Sequence, residues 1–99
     1  MFDSVHFEKH EGTRNDKELT VLALSTCGFC KRGLDFLNAH NLAYRYVYVD
    51  TLPVDVRKKI SVEFQEKFNA RILYPALIIN GTNVLHGFIE ADWKKQLDL

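Results

Sequence analysis

The run Leu19-Thr20-Val21-Leu22-Ala23-Leu24 is nearly unbroken in apolar character. Such a run belongs in a strand covered on both faces, which only helices packed above and below a sheet provide. Ser25-Thr26 closes it and offers side-chain oxygens to cap a helix over residues 28–40, with Leu34, Phe36, Leu37 and Ala39 on its apolar side. Asn41 marks the stop.

The rest of the chain alternates in the same way. Tyr44-Arg45-Tyr46-Val47-Tyr48-Val49 is aromatic and β-branched and reads as a second strand. Asp50-Thr51-Leu52-Pro53 opens another helix, with Val56, Ile60, Phe64 and Phe68 spaced by four on one stripe. Ala76-Leu77-Ile78-Ile79 is a strand, Asn80-Gly81 a hairpin turn, and Asn83-Val84-Leu85-His86 its antiparallel return, broken by Gly87. Ile89, Trp93 and Leu97, again four apart, predict a closing helix. The order β-α-β-α-β-β-α, with its right-handed crossover, is an α/β fold. It implies a central mixed four-stranded sheet flanked by three helices. Residues 1–18 read as a polar extension, in which Val5-His6-Phe7-Glu8 is a candidate extra strand, and residues 19–99 as the single domain.

Ninety-nine residues suffice for one core. Thirteen acidic and thirteen basic residues balance, so no basic excess argues for nucleic acid. No apolar run approaches the ~20 residues of a membrane helix. The start, Met1-Phe2-Asp3-Ser4-Val5-His6, lacks the charged and apolar segments of a secretory signal. Two cysteines and no more point away from a secreted disulfide scaffold and towards a reducing cytoplasm.

Those two stand in Cys27-Gly28-Phe29-Cys30, where the buried strand meets the helix. Positions three apart on a helix share a face, so the sulfurs can meet in a disulfide. Cys27 lies at the helix N-terminus, where unpaired N–H groups and the dipole favour a thiolate. Lys31 and Arg32, one turn on, are expected to tune its acidity, and Cys30 is expected to be less exposed. Cys27 would attack a substrate disulfide and Cys30 would resolve the mixed disulfide. Two other readings stay open. Structural zinc needs two more ligands, and His6, His10, His40 and His86 show no zinc-finger spacing. The cysteines could also be small hydrophobes in a core.

Ser25-Thr26-Cys27-Gly28-Phe29-Cys30-Lys31-Arg32, then Tyr74-Pro75 opening a strand, then Asn80-Gly81, resemble the glutaredoxins and glutaredoxin-like redoxins of the thioredoxin superfamily. The resemblance spans residues 19–97. It implies a thioredoxin-like fold and a thiol–disulfide oxidoreductase that reduces protein or small-molecule disulfides. It also implies a cis bond before Pro75, facing the cysteines and exposing the backbone before it to an extended partner. The substrate surface it implies comprises Gly28, Phe29, Tyr74, Pro75, Gly87 and Phe88.

Four departures from the family pattern matter. Ala23-Leu24-Ser25-Thr26 lacks the lysine that meets glutathione. Leu85-His86-Gly87-Phe88-Ile89-Glu90 stands where a Gly-Gly-acidic stretch grips its amino end, and is closer to redoxins reduced by thioredoxin reductase. Residues 50–75 are longer than in a minimal glutaredoxin. Gly28 replaces the proline of many dithiol members and, in Cys-Gly-Phe, matches single-cysteine members that hold an iron–sulfur cluster. Expected partners are protein disulfides, with thioredoxin reductase or glutathione as reductant. No metal or tightly bound cofactor is expected, glutathione serving only as co-substrate, and the protein is expected to be a monomer. Tyr44, Tyr46 and Tyr48 read as packing, and Arg57-Lys58-Lys59 as a solvated helix face. A cluster carrier and a redox-silent binding module on the same fold are the competing readings.

Overall fold

In a computed structural model describing residues 1–99, the chain runs β1 (Glu8–His10), β2 (Leu19–Ala23), α1 (Gly28–Ala39), β3 (Tyr44–Tyr48), a short 3-10 turn (Val49–Thr51), α2 (Val54–Phe68), β4 (Ala76–Ile79), β5 (Asn83–His86) and α3 (Glu90–Gln96). All five residues of β2 are buried, as its apolar sequence requires. It pairs parallel with β3 and antiparallel with β4. The sheet order is β1-β3-β2-β4-β5, so the fold is thioredoxin-like with a mixed sheet of five strands and three helices.

Side-chain alternation divides the core in two. Leu19, Val21 and Ala23 of β2 and Leu77 and Ile79 of β4 face α1 and α3, meeting Cys30, Leu34, Leu37, Trp93 and Leu97. Leu22, Ala76 and Ile78 face the opposite way, onto Ile60 and Phe64 of α2. The α2 stripe is therefore confirmed, with Ile60 and Phe64 fully enclosed and Val56 and Phe68 at its margins.

The N-terminal segment differs from the sequence expectation. Its strand lies at Glu8–His10, pairing antiparallel with β3, rather than at residues 5–8. Nor are residues 1–18 merely a polar extension, because Phe2 and Phe7 are buried in the α2-side core. The Phe2 N–H donates to Glu63 of α2 at 2.7 Å, and the Arg45 guanidinium lies 4.3 Å from the centre of the Phe7 ring. Two large rings outweigh the polar composition around them, since each buries enough apolar area to anchor a loop.

At the other end, Trp93 and Leu97 are buried, but Ile89 is 56% exposed because it caps α3 rather than belonging to its apolar face. No helix is long and apolar enough to cross a membrane.

Candidate active site

Strand β2 ends where α1 begins, and the turn between them is held by its own backbone. Cys27 N–H donates to the Leu24 carbonyl at 3.3 Å, and Leu24 N–H donates to Cys30 Sγ at 3.4 Å. The helix cap is Cys27 itself, not Ser25 or Thr26. Its Sγ accepts the Cys30 N–H at 3.2 Å, occupying the place where a serine or aspartate oxygen usually stands. Ser25 is engaged elsewhere. Its N–H and hydroxyl both donate to the Asp50 carboxylate, at 2.9 and 2.5 Å.

Both cysteines are free thiols with unlike surroundings. Cys27 is half-buried and Cys30 is 1% exposed. Burial, reinforced by the hydrogen bond with Cys27 and only partly opposed by the Leu24 N–H, pushes the Cys30 thiol up to about 12. Cys30 therefore holds its proton at neutral pH, while the sulfur reachable from outside receives an N–H from the first turn of the helix. That N–H belongs to the first turn of α1, so Cys27 Sγ stands at the positive end of the helix dipole.

Pro75 packs against the helix that carries this pair. Its preceding peptide bond is cis, and its side chain is fully enclosed. A Cβ on Gly33, in α1, would stand 2.9 Å from the Trp93 ring and 3.5 Å from Pro75 Cγ. That close approach seats the proline against the helix one turn beyond Cys30. Gly87 secures the other side, donating its N–H to the Pro75 carbonyl at 2.9 Å and accepting Trp93 Nε1–H at 3.1 Å. Burial, with Cys30 and the Asp50 carboxylate close by, holds the Tyr74 phenol above its ordinary value. Residues 70–74 make no backbone–backbone hydrogen bonds. Unpaired backbone beside the cysteines is what an extended peptide needs in order to dock by strand-like pairing.

The remaining candidates divide. Gly28 is exposed, and a Cβ there would meet nothing within 4 Å. Phe29 is 59% exposed, with Arg32 over its ring at 5.5 Å. Arg32 is thus directed at Phe29, and Lys31 is bonded to Asp35 at 3.0 Å. Both charges expected to tune Cys27 have other partners. Phe88 is half-buried, with its ring against Phe36 at 5.7 Å and Trp93 at 4.8 Å. It serves the core more than an exposed rim.

Sequence reading missed three features. Asp50 binds Ser25 from 25 residues away, a pairing no local pattern announces. Arg57, read as solvated, has its Nε buried without a partner, and its charge acts on Asp50 and Tyr74. Tyr44, Tyr46 and Tyr48 do pack on the core, but they also line a groove of about 400 Å³ with Cys27 in its wall. Their alternation along β3 was the available signal. No three His, Cys, Asp or Glu side chains stand together as metal ligands.

Comparison with known proteins agrees with this geometry. The glutaredoxin family profile matches residues 18–84, well over half of the chain. The fold is similar to the glutaredoxin of Methanosarcina mazei Go1, with a TM-score of 0.81 and 24% identity over 96% of this chain and 90% of that one. It is equally similar to Methanosarcina acetivorans methanoredoxin, at 0.81 and 23% over 93% and 96%. A glutaredoxin from Archaeoglobus fulgidus follows at 0.71 and 24% over 83% and 87%. A comparison with curated proteins gives no match. The profile match and the cysteine pair at the start of α1 establish that this chain belongs to the glutaredoxin family of thiol redox proteins.

Proposed function

We propose that the protein is a dithiol–disulfide oxidoreductase in which Cys27 is the nucleophile and Cys30 the resolving thiol. The observation that carries this reading is the asymmetry of the pair: an accessible Cys27 sulfur accepting the Cys30 N–H, above a buried, protonated Cys30. Cys27 thiolate attacks one sulfur of R–S–S–R′, forming Cys27–S–S–R and releasing R′S⁻. Cys30 then gives its proton to solvent or to the departing thiolate and attacks Cys27 Sγ. The products are the Cys27–Cys30 disulfide and RSH. Two electrons pass to the substrate, and a reductant must return them.

Residues 70–74, Pro75 and the exposed ring of Phe29 suit a polypeptide carrying the disulfide better than a small tripeptide. Protein disulfides in a reducing cytoplasm are therefore the proposed substrates, handled by a monomer. A protein reductase of the thioredoxin reductase kind is the proposed electron donor, ahead of glutathione as co-substrate. Arg57 is the residue that would argue for glutathione, because it sets an unsatisfied guanidinium nitrogen near Tyr74, and guanidinium is the natural partner of a carboxylate.

The test is substitution of each cysteine in turn. Cys27→Ser abolishes reduction of insulin disulfides, and Cys30→Ser accumulates mixed disulfides that dithiothreitol releases. Activity retained by Cys27→Ser would refute the assignment. The open space around Gly28 favours cluster carriage as the second reading. A stable brown dimer formed with iron and sulfide, and lost in Cys27→Ser, would establish it.

A further inference from the structure

The groove beside Cys27 lies between α1 and β3, and its shape is specific enough to select a substrate. Tyr44, Tyr46 and Tyr48 form a ladder along it, with successive ring centres 5.8 and 5.6 Å apart. Tyr44 is closed off: it is buried, it donates to Asn38 at 2.6 Å, and His10 stacks on it at 4.9 Å. Tyr46 and Tyr48 are only half-buried and meet at 72°, so each leaves part of its ring open to the cavity. The opposite wall is α1, where Leu34 lies at the base and the Lys31–Asp35 pair at the rim.

That composition decides the chemistry of an occupant. Lys31 and Asp35 neutralise one another, which leaves Lys9, at the β1 end of the groove and exposed, as its one unpaired charge, while three tyrosine rings make up most of the remaining wall. Open tyrosine rings favour another ring in edge-to-face or offset geometry, at centroid separations of about 4.5–7 Å. A cavity of about 400 Å³ is at the small end of the ligand-site range. Because Cys27 forms part of the wall, whatever enters remains tethered close to the reacting sulfur. The groove is continuous with the site of exchange, and it is bordered by β3 and α1 rather than by the residue 70–75 segment.

The geometry points to a second subsite that binds an aromatic side chain of a disulfide-bearing polypeptide, close in sequence to the cysteine under attack. This rests on the dithiol reading above and deepens it by naming a substrate preference. Tyr46 lies two residues from Tyr48, about 7 Å along the strand. Tyr48 is paired with Ala23, at the end of β2 that leads into Cys27, and Tyr46, Tyr48 and Cys27 all line the groove, so the preferred ring stands within about three residues of the substrate cysteine at roughly 3.3 Å per extended residue.

Two synthetic peptides test it, each holding one intermolecular disulfide and differing only by tyrosine or serine two residues after the cysteine. The reduced protein is mixed with each, and the second-order rate of thiol release is followed. The tyrosine peptide is expected to react several-fold faster. Tyr48→Ser brings the ratio of the two rates towards one. So does Asp35→Trp, which fills the groove from an exposed helix position without removing core packing. Equal rates for the two peptides, or an unchanged ratio in both variants, would overturn the subsite and leave the dithiol reading standing. No reaction with either peptide would refute the dithiol reading and the subsite with it.

Discussion

Asp50 accepts both polar hydrogens of Ser25, its carboxylate oxygens lying 2.9 Å from the backbone nitrogen and 2.5 Å from the hydroxyl oxygen. This ties the turn before Cys27 to the chain segment that follows β3. Leu24, the neighbour of Ser25, contacts the cysteine pair twice, through its carbonyl to Cys27 N–H and its N–H to Cys30 Sγ. Asp50 is therefore a positioning residue for both sulfurs. Asp50→Ala should lower the rate of insulin reduction several-fold and narrow the difference between Cys27 and Cys30 in alkylation. A variant with unchanged rate and selectivity would show that the turn holds itself. The Ser25 hydrogen bonds keep Asp50 below the usual carboxylate range. A depressed carboxylate stabilises the fold above its unfolded value and loses that effect as pH falls through the folded one. The tie should consequently persist into acid and fail only below the range where free aspartate titrates.

Alkylation offers a direct view of the pair. Iodoacetamide at pH 7 should modify Cys27 and leave Cys30 intact in the reduced protein, because only Cys27 is accessible and Cys30 keeps its proton. Mass spectrometry of the digested adduct reads the site, and comparable labelling at Cys30 would contradict the burial argument.

Alkaline pH should weaken the reduced protein. Cys30 and Tyr44 are each pushed up to about 12 by burial, and Tyr74 is raised for the same first reason. In the unfolded chain a cysteine ionises near ~8.5 and a tyrosine near ~10. Between those values and about 12 the unfolded state binds fewer protons than the folded one, so stability declines as pH rises. Urea midpoints from pH 8 to pH 11 should fall. The disulfide form should fall less steeply, having no thiol at Cys30 to ionise.

Gly28→Pro should be tolerated and mildly stabilising. Gly28 is the first residue of α1, its N–H makes no backbone hydrogen bond, and a Cβ there would meet nothing within 4 Å beyond its chain neighbours. Cys27 before it is already extended, at φ −97 and ψ 117, as a residue preceding proline prefers. The gain is about 0.4–1 kcal/mol through the unfolded state. A loss of stability measured in urea would mean that the backbone at this position is not free.

Gly12→Ala should do the reverse. A Cβ at Gly12 would lie 2.5 Å from the Asn41 carbonyl oxygen and 2.6 Å from the Ala43 nitrogen, which are backbone atoms that cannot swing aside. Arg14 bridges to the same segment, bonding the Asn41 carbonyl and Ala43 N–H at 2.9 and 2.8 Å. Overpacking of this kind costs about 1–3 kcal/mol, so a thermal melt of the variant should show a clear decrease.

What was readable in the sequence followed from period and local chemistry. The β2 run, the four-residue spacing of Ile60 and Phe64, and Asn80-Gly81 each fix an element by themselves, and the structure places all three as expected. Cys27 and Cys30 were found because three-residue spacing at a strand–helix junction is local. Phe2 and Phe7 give no core signal in the sequence, because two rings among polar residues carry no period. Ile89 matched a helical spacing yet stands one residue outside the helix, which the spacing cannot register. Ser25 reads as a cap because its hydroxyl has a local use; its actual partner, Asp50, is set by the parallel pairing of β2 and β3. Arg57 and the tyrosine groove depend on how α2 and α1 lie against the sheet.

The edges of the sheet bear on a hazard that polypeptide substrates of the proposed kind would bring. A partly unfolded client lying near a sheet can add itself as another strand and seed aggregation. Here the two outer strands are short and poorly suited as templates. β1 is three residues long, Glu8-Lys9-His10, and largely charged. β5 has four residues, with Gly81 and Gly87 in left-handed conformations close to its two ends. On the proposed reading, a client chain would reach the free backbone beside Pro75 while the rest of the sheet offers it little length along which to zip.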